Sequence, residues 1–164
     1  MWAVAWAAAS EHVLATGGCE GSVRLWDVRR AGCLMVLDQH NAAPAATDAA
    51  AAHVAASGGG RPALLARSLG GLAPGAAGAA PTGRAHDGAV TSLRFMPCGR
   101  RLLSAGRDAR LRLWDLRDGR NTMVHFAGTR STARKACHMG LSSDGRLVAH
   151  PSGTLLSVYD TDTG

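Results

Sequence analysis

Residues Glu20–Asn41 read EGSVRLWDVRRAGCLMVLDQHN, and their pattern decides the fold. Val23, Leu25 and Asp27 alternate with Arg24, Trp26 and Val28, the period of two expected of a strand with two unlike faces. The strand ends in Trp26-Asp27, a short Arg/Gly turn follows, and Cys33–Leu37 forms a second apolar run. The pattern returns downstream, where Arg110–Arg117 reads RLRLWDLR against SVRLWDVR at Ser22–Arg29. Trp114 lies about 88 residues beyond Trp26, roughly twice the ~40–45 residues of a four-stranded repeat unit. The excess is a single inserted segment between the two copies.

Working outward, the first unit places strands at Val4–Trp6, Val13–Thr16, Val23–Asp27 and Cys33–Leu37. The second places them at Ala89–Phe95, Arg101–Ala105, Arg110–Asp115 and Asn121–Phe126. A degenerate third unit carries Ala136–Leu141, Leu147–Ala149 and Leu155–Tyr159, with Tyr159-Asp160 where Trp-Asp stood. Four short strands closing on Trp-Asp resemble the WD repeat. The fold class this implies is all-β, a WD40 β-propeller, with blades at residues 1–40, 86–128 and 129–164. Rings of this kind close with 4–8 blades, so about three blades are expected to be part of a larger ring. The first unit lacks the histidine-bearing loop that would precede Val4, and the third stops before a fourth strand; both are expected to be truncated. Unpaired blade faces are then expected to leave apolar surface open to association.

Residues 41–85 differ in kind. They are rich in Ala and Gly, carry Pro44, Pro62, Pro74 and Pro81, and contain no aromatic residue. Such a stretch is expected to be a disordered insert. Gly58–Arg61 is no phosphate loop, since neither a Lys-Ser/Thr ending nor a flanking strand accompanies it.

Composition narrows the function classes. Eighteen Lys+Arg against twelve Asp+Glu leave +6, and Lys135 is the one lysine. The arginines are spread along the chain without aromatic interleaving, so no direct nucleic-acid binding is expected. Cys19, Cys33, Cys98 and Cys137 show neither CxxC pairing nor histidines at metal spacing, so no metal and no cofactor are expected. Met1–Ala9 is apolar but lacks a basic leader and is too short to span a bilayer, so no membrane association is expected.

In the second unit His86, Ser104, Asp108 and Trp114 have the spacing of a buried hydrogen-bonded tetrad. Indole N–H, hydroxyl, imidazole and carboxylate can satisfy one another in sequence away from water. Ser, His and Asp also suggest a hydrolase. The tryptophan and the missing oxyanion-hole motif favour a structural relay, and no catalytic residue is expected. The first unit supplies Thr16, Trp26 and Glu20 at matching positions; the third is expected to place Ala149 and Gly153 at the hydroxyl and carboxylate positions. His40 is read as a partly exposed loop residue opening the insert.

Trp26-Asp27-Val28-Arg29 and Trp114-Asp115-Leu116-Arg117 both satisfy WDxR. An arginine just after the third strand emerges at one rim, where its planar guanidinium can form forked bonds with a partner. WDxR is shared by propellers that dock on the DDB1 adaptor of cullin-4 ubiquitin ligases. Beyond the repeat, Val23–Asn41 resembles the Cockayne syndrome group A family of WD-repeat substrate receptors. So do the insert after Asp-Gln-His-Asn, the resumption at AHDGAV, and GRNTMVHFAG after the second Trp-Asp. The resemblance implies a seven-bladed, nuclear, non-catalytic receptor of a cullin-4 ligase in transcription-coupled nucleotide excision repair. It implies the DDB1 adaptor and a stalled RNA polymerase II repair complex as partners. Asp27 and Arg29 would be the partner-binding pair, with Asp115 and Arg117 matching the same pattern. The alternative is a general protein-interaction scaffold whose WDxR arginines are ordinary rim residues.

Overall fold

The computed structural model describes residues 3–30, 32–41, 82–130, 137–152 and 154–164. They form three antiparallel sheets that follow one another along the chain. The first has the order β1(Ala3–Trp6), β2(Val13–Gly17), β3(Val23–Asp27), β4(Cys33–Leu37). The second is β5(Val90–Phe95), β6(Arg101–Gly106), β7(Leu111–Asp115), β8(Arg120–Asn121). The third joins β9(Gly140–Leu141), β10(Leu147–Ser152) and β11(Leu155–Asp160). This is the architecture of WD40 blades in a partial β-propeller.

Alternation within the strands gives each sheet two faces, and the blades stack by burying one against the next. Ala15, Val23, Leu25 and Leu37 of the first sheet meet Leu93, Phe95, Leu102 and Trp114 of the second in one core. The opposite face of the second sheet, Leu103, Leu111 and Leu113, joins Met139 and Val148 of the third in another. Phe126 stands edge-on to Tyr159 within that second core, ring centroids 5.8 Å apart.

Two expected strands are shorter than the sequence pattern suggests. The outer strand placed at Asn121–Phe126 is only Arg120–Asn121. Asn121 Oδ1 accepts from the Met123 N–H, and Met123 adopts φ 61°, which turns the chain out of the ladder. Val124 and Phe126 go instead to the junction with the third sheet. Among the described residues, the inner strand placed at Ala136–Leu141 is Gly140–Leu141. Before it, the Met139 N–H donates to Ser92 Oγ, and Arg94 Nε donates to the Met139 carbonyl. That backbone is therefore held by β5 of the neighbouring blade. Apart from Asn41 and residues 82–85, the insert expected to be disordered lies outside the described residues, as does the glycine expected at position 153.

The two ends flanking 42–81 come together. The Gln39 N–H donates to the Arg84 carbonyl at 2.8 Å, and Asp38 accepts from both the His40 and Gly83 backbone N–H groups. Asn41 reaches on to the second blade, where its carbonyl accepts from the Asn121 N–H. The outer strand of the first blade thus leads straight into a clamp on the second.

The opposite side of this junction depends on Gly21. Its carbonyl accepts from both the Ala85 and His86 N–H groups, at 2.9 and 3.0 Å. It sits at φ +88°, and a Cβ there would collide with the His86 carbonyl. Gly21→Ala should therefore destabilise the chain by at least about 2 kcal/mol, combining a left-handed backbone with a displaced junction. Chemical denaturation followed by tryptophan fluorescence checks this; an unchanged midpoint would remove Gly21 from the account.

Candidate functional site

The second blade builds its relay from three places in the chain. Trp114 comes from β7, Ser104 from β6, and His86 from the loop that Gly21 holds. Trp114 Nε1 donates to Ser104 Oγ at 2.8 Å, and His86 Nε2 lies 2.7 Å from the same oxygen. His86 Nδ1 lies 2.9 Å from Asp108 Oδ1. An ionised Asp108 can only accept, so the imidazole proton is assigned to Nδ1, and the Ser104 hydroxyl then donates to Nε2. Gly106 leaves the space this requires: a Cβ there would strike both the imidazole and the Asp108 carboxylate.

Arg112 of β7 completes the arrangement, and spacing alone did not single it out. Its Nη1 donates to Asp108 Oδ2 at 2.7 Å, and its Nη2 to Gln39 Oε1 at 2.8 Å. Nη1 also approaches His86 Nδ1 at 2.7 Å. Both nitrogens carry protons in this tautomer, so their common acceptor is Asp108. Gln39 in turn donates to Asp87 Oδ1 at 2.7 Å. A polar side chain facing Ser104 across a buried sheet was the available sequence signal, since Arg112 is Ser104's register partner.

Burial and charge fix the protonation states. Burial pushes the His86 pKa down, against the opposing pull of Asp108, so the imidazole is neutral. Burial by itself would raise Asp108, but hydrogen bonds from His86 and Arg112, with the charge of Arg112, outweigh it and keep the carboxylate ionised. Ser104 and His86 are fully buried, and the serine hydroxyl is engaged on both sides. This geometry is that of a closed hydrogen-bond relay, with the serine hydroxyl enclosed by its two partners.

The other blades vary the theme. In the first, Trp26 Nε1 donates to Thr16 Oγ1 at 2.9 Å, on a face that is only half buried. Glu20 does not take up the role of Asp108. It folds back on Ser22 within its own turn, and that hydrogen bond holds its pKa down at about 2. In the third, the hydroxyl position expected at Ala149 falls instead on His150. Val148 pairs with Tyr159 as Leu102 pairs with Trp114, and the equivalent of Ser104 is two residues on. One step along a strand changes the face. His150 is buried there, with Nδ1 unpartnered and its pKa lowered by desolvation. Ser152 pairs directly with Leu155, so two residues connect these strands where five lie between Ala105 and Leu111. His40, expected as a partly exposed loop residue, is exposed, with its N–H held by Asp38.

The four WDxR positions sit at the ends of β3 and β7 and in the turns that follow. Asp27 Oδ1 accepts from both the backbone N–H and Nε of Arg29, at 2.9 and 3.0 Å, while Nη2 donates to Oδ2 at 2.7 Å. Asp115 and Arg117 repeat this in the second blade, at 3.0 Å for the backbone bond and 2.5 Å for the Nη2 bond. Arg117's hydrogen bonds hold the Asp115 pKa at about 2; those from Arg29 push Asp27 lower still. The sequence reading gave the guanidinium fork to a partner; the structure gives it to the chain's own aspartate. What each arginine offers outward is its remaining N–H groups and an exposed planar face, already fixed in position. Beside Arg117 a groove of about 400 Å³ brings Arg100, Arg101 and Arg146 together with Asp144 and Asp162. Among the described residues, no cluster suited to a metal ion occurs.

Comparison with known proteins agrees with this architecture. The model of the WD domain, G-beta repeat, matches residues 1–27 and 80–115. The chain is 36% identical to the WD repeat-containing protein ATCSA-1 of Arabidopsis thaliana, over 90% of this chain and 40% of that protein. It is 55% identical to the mouse guanine nucleotide-binding protein subunit beta-like protein 1, over 24% of this chain and 12% of that one. A chicken p21-activated protein kinase-interacting protein 1-like is 32% identical, over 49% and 20%. The chain thus spans well under half the length of each of these relatives.

Removing the central hydroxyl should separate the two relays. Ser104→Ala leaves an indole N–H and an imidazole nitrogen buried without a partner, and should cost about 3 kcal/mol. Thr16→Ala, on the half-covered face, should cost about 1 kcal/mol or less. Equal losses of stability in urea would show that burial does not set the relay's worth. The pH dependence has a definite sign. Unfolded His86 takes up a proton near the ordinary value of 6.5, whereas buried His86 resists it, as does His150. Their contribution to stability is present above that pH and is lost as the pH falls below it. Melting temperatures measured from pH 8 to pH 5 should decline below about 6.5; a flat profile would contradict a neutral buried imidazole.

Proposed function

We propose that this chain of WD repeats contributes to a non-catalytic substrate receptor of a cullin-4 ubiquitin ligase, acting in the nucleus in transcription-coupled nucleotide excision repair. The observation that carries the reading is the 36% identity to ATCSA-1 along 90% of the chain. It reinforces the resemblance carried by VRLWDVRRAGCLMVLDQHN at Val23–Asn41. The docking element on this reading is the rim, with Asp27 and Arg29 as its principal pair and Asp115 and Arg117 repeating it. The described residues form no helix long and apolar enough to cross a membrane.

The geometry suits docking rather than catalysis. Each WDxR arginine is anchored by its own aspartate, so little side-chain entropy remains to be lost when a partner closes over it. Three further arginines around the neighbouring groove favour a partner surface that carries carboxylates or carbonyl oxygens. The adaptor is the DDB1 component of the ligase, and the cargo is the stalled RNA polymerase II repair complex. Ubiquitin transfer belongs to recruited subunits.

One observation favours the second reading, a general WD-repeat scaffold. The bonds from Arg29 to Asp27 are complete within the chain, which is what an ordinary turn-stabilising rim residue would show. Affinity purification from cells separates the two. Tagged chain should recover adaptor and cullin-4, and Arg29→Ala should reduce that recovery about tenfold, the scale of a central interface arginine. Full recovery with Arg29→Ala would relieve that residue of the role, and no adaptor with the unaltered chain would leave the scaffold.

A further inference from the structure

One turn recurs after the strand that closes on Trp-Asp or Tyr-Asp in each of the three blades. Asp27, Asp115 and Asp160 are register equivalents, paired with Val13, Arg101 and Leu147 on the strand before. Each accepts, through Oδ1, the backbone N–H two residues on, at 2.9, 3.0 and 2.9 Å. The residue so placed is Arg29, Arg117 and Asp162 in turn. The third blade therefore reverses the charge at the position where the first two carry the WDxR arginine. The reversed group cannot fold back as they do, because Asp160 beneath it is also an acid. It reaches across to the second blade instead, where Arg101 Nη1 donates to Asp162 Oδ1 at 2.7 Å. Arg101 is itself a departure, since the equivalent residues Val13 and Leu147 are apolar.

The two departures meet in one bridge, and that bridge does little to hold the blades together. Its side chains are 42% and 67% exposed, and an ion pair this open to water and salt contributes little net stability. The apolar core around Met139 and Val148 joins these blades without it. Both members of the bridge line the groove beside Arg117. The other carboxylates of that groove are spent inside the chain. Asp115 accepts from Arg117, and Asp144 accepts from Ser142 Oγ and the Arg146 backbone N–H. Arg100 and Arg146 also line the groove and are exposed, and among the described residues no carboxylate forms an ion pair with either guanidinium. The groove thus holds two cations without an acid, and a third whose acid is loosely held.

We propose that Asp162 stands in for a partner's carboxylate: an acidic segment of the docking partner displaces it and closes on Arg101, with Arg100 and Arg146 beside it. This rests on the docking reading above and adds to it the side chains that receive the partner between the second and third blades. A carboxylate is the chemistry that fits, because it is what Arg101 already holds. A guanidinium can take a carboxylate with two parallel N–H bonds, and Asp162 uses one of them. Displacement exchanges one carboxylate for another of equal charge, so little is lost at Arg101. Two arginines that lack an acid gain a counter-charge in the same step. Asp162 is therefore a competitor: it orients Arg101 in the free chain and weakens every acidic ligand of the groove. A bridge with a merely structural role would have the opposite effect on binding when removed.

Titration of the purified adaptor onto the chain, unaltered and substituted, tests the proposal. Asp162→Ala should tighten binding about two- to fivefold, the range that an exposed ion pair can hold back. Arg101→Ala should weaken binding by about the same factor, and Arg100→Ala combined with Arg146→Ala by about tenfold. These side chains face solvent, so the strand signal in circular dichroism should not change. If Asp162→Ala or Arg101→Ala loses that signal, Asp162→Asn or Arg101→Gln replaces it, removing the charge and keeping most of the shape. Adaptor binding that the Asp162 substitution leaves unchanged or weakens overturns the proposal and leaves the docking reading standing. So does binding that the Arg101 substitution or the Arg100 and Arg146 pair leaves undiminished. Adaptor bound neither by the unaltered chain nor by Asp162→Ala removes the docking reading itself, and the proposal with it.

Discussion

The structure depends on one hydrogen bond chain, from Trp114 through Ser104 and His86 to Asp108. Trp114, Ser104 and His86 are fully buried and Asp108 nearly so, and each polar group is tolerable because the next supplies its partner. The relay also ties distant pieces of chain together, since β7, β6 and the loop before β5 must all be in place for it to close. Arg112 and Gln39 extend it to the first blade, making the interior of one blade and the boundary between two blades a single network. The backbone bonds from Ala85 and His86 to the Gly21 carbonyl fix the same loop from the other side. The histidine is thus positioned by both blades and used by one.

Comparison among the three sheets shows how much of a blade's chemistry is set by its neighbours. The Trp26–Thr16 pair has the same bond as Trp114–Ser104, at nearly the same length. Its surroundings differ because nothing in the described chain covers that face. In the third blade a histidine stands at the hydroxyl position and a tyrosine at the tryptophan position, so packing takes over from the relay. Phe126 and Tyr159 add a ring contact to the apolar core that joins this blade to the second. A blade can therefore lose its polar relay and keep its place, provided the apolar junction is kept.

The rim separates structure from recognition by a few atoms. In both WDxR turns the aspartate caps the turn that follows its strand and orients the arginine two residues on. The guanidinium is fixed and still largely exposed, because an aspartate uses only one edge of it. On the proposed docking role, stability and partner binding would draw on the same residues. The same arrangement in successive blades places two such groups on one side of the molecule.

The sequence by itself determined the strand pattern, the four-strand units and the relay residues. These follow from local rules: period-two alternation, and a fixed spacing from His86 to Trp114. The cross-strand partner of Ser104 could also be read from register, yet its part in the network could not, because that depends on Gln39 reaching from another sheet. Tertiary structure alone decided that Asn121–Phe126 leaves its sheet, since Val124 and Phe126 find burial only at a junction with the third blade. It alone put His150 rather than Ala149 on the covered face, because a one-residue shift in the third blade is invisible until its strands are paired. It alone showed that the fork of Arg29 is closed by Asp27, a matter of side-chain geometry that the motif WDxR does not specify. Composition and spacing fix which groups are available; only packing decides which of them meet.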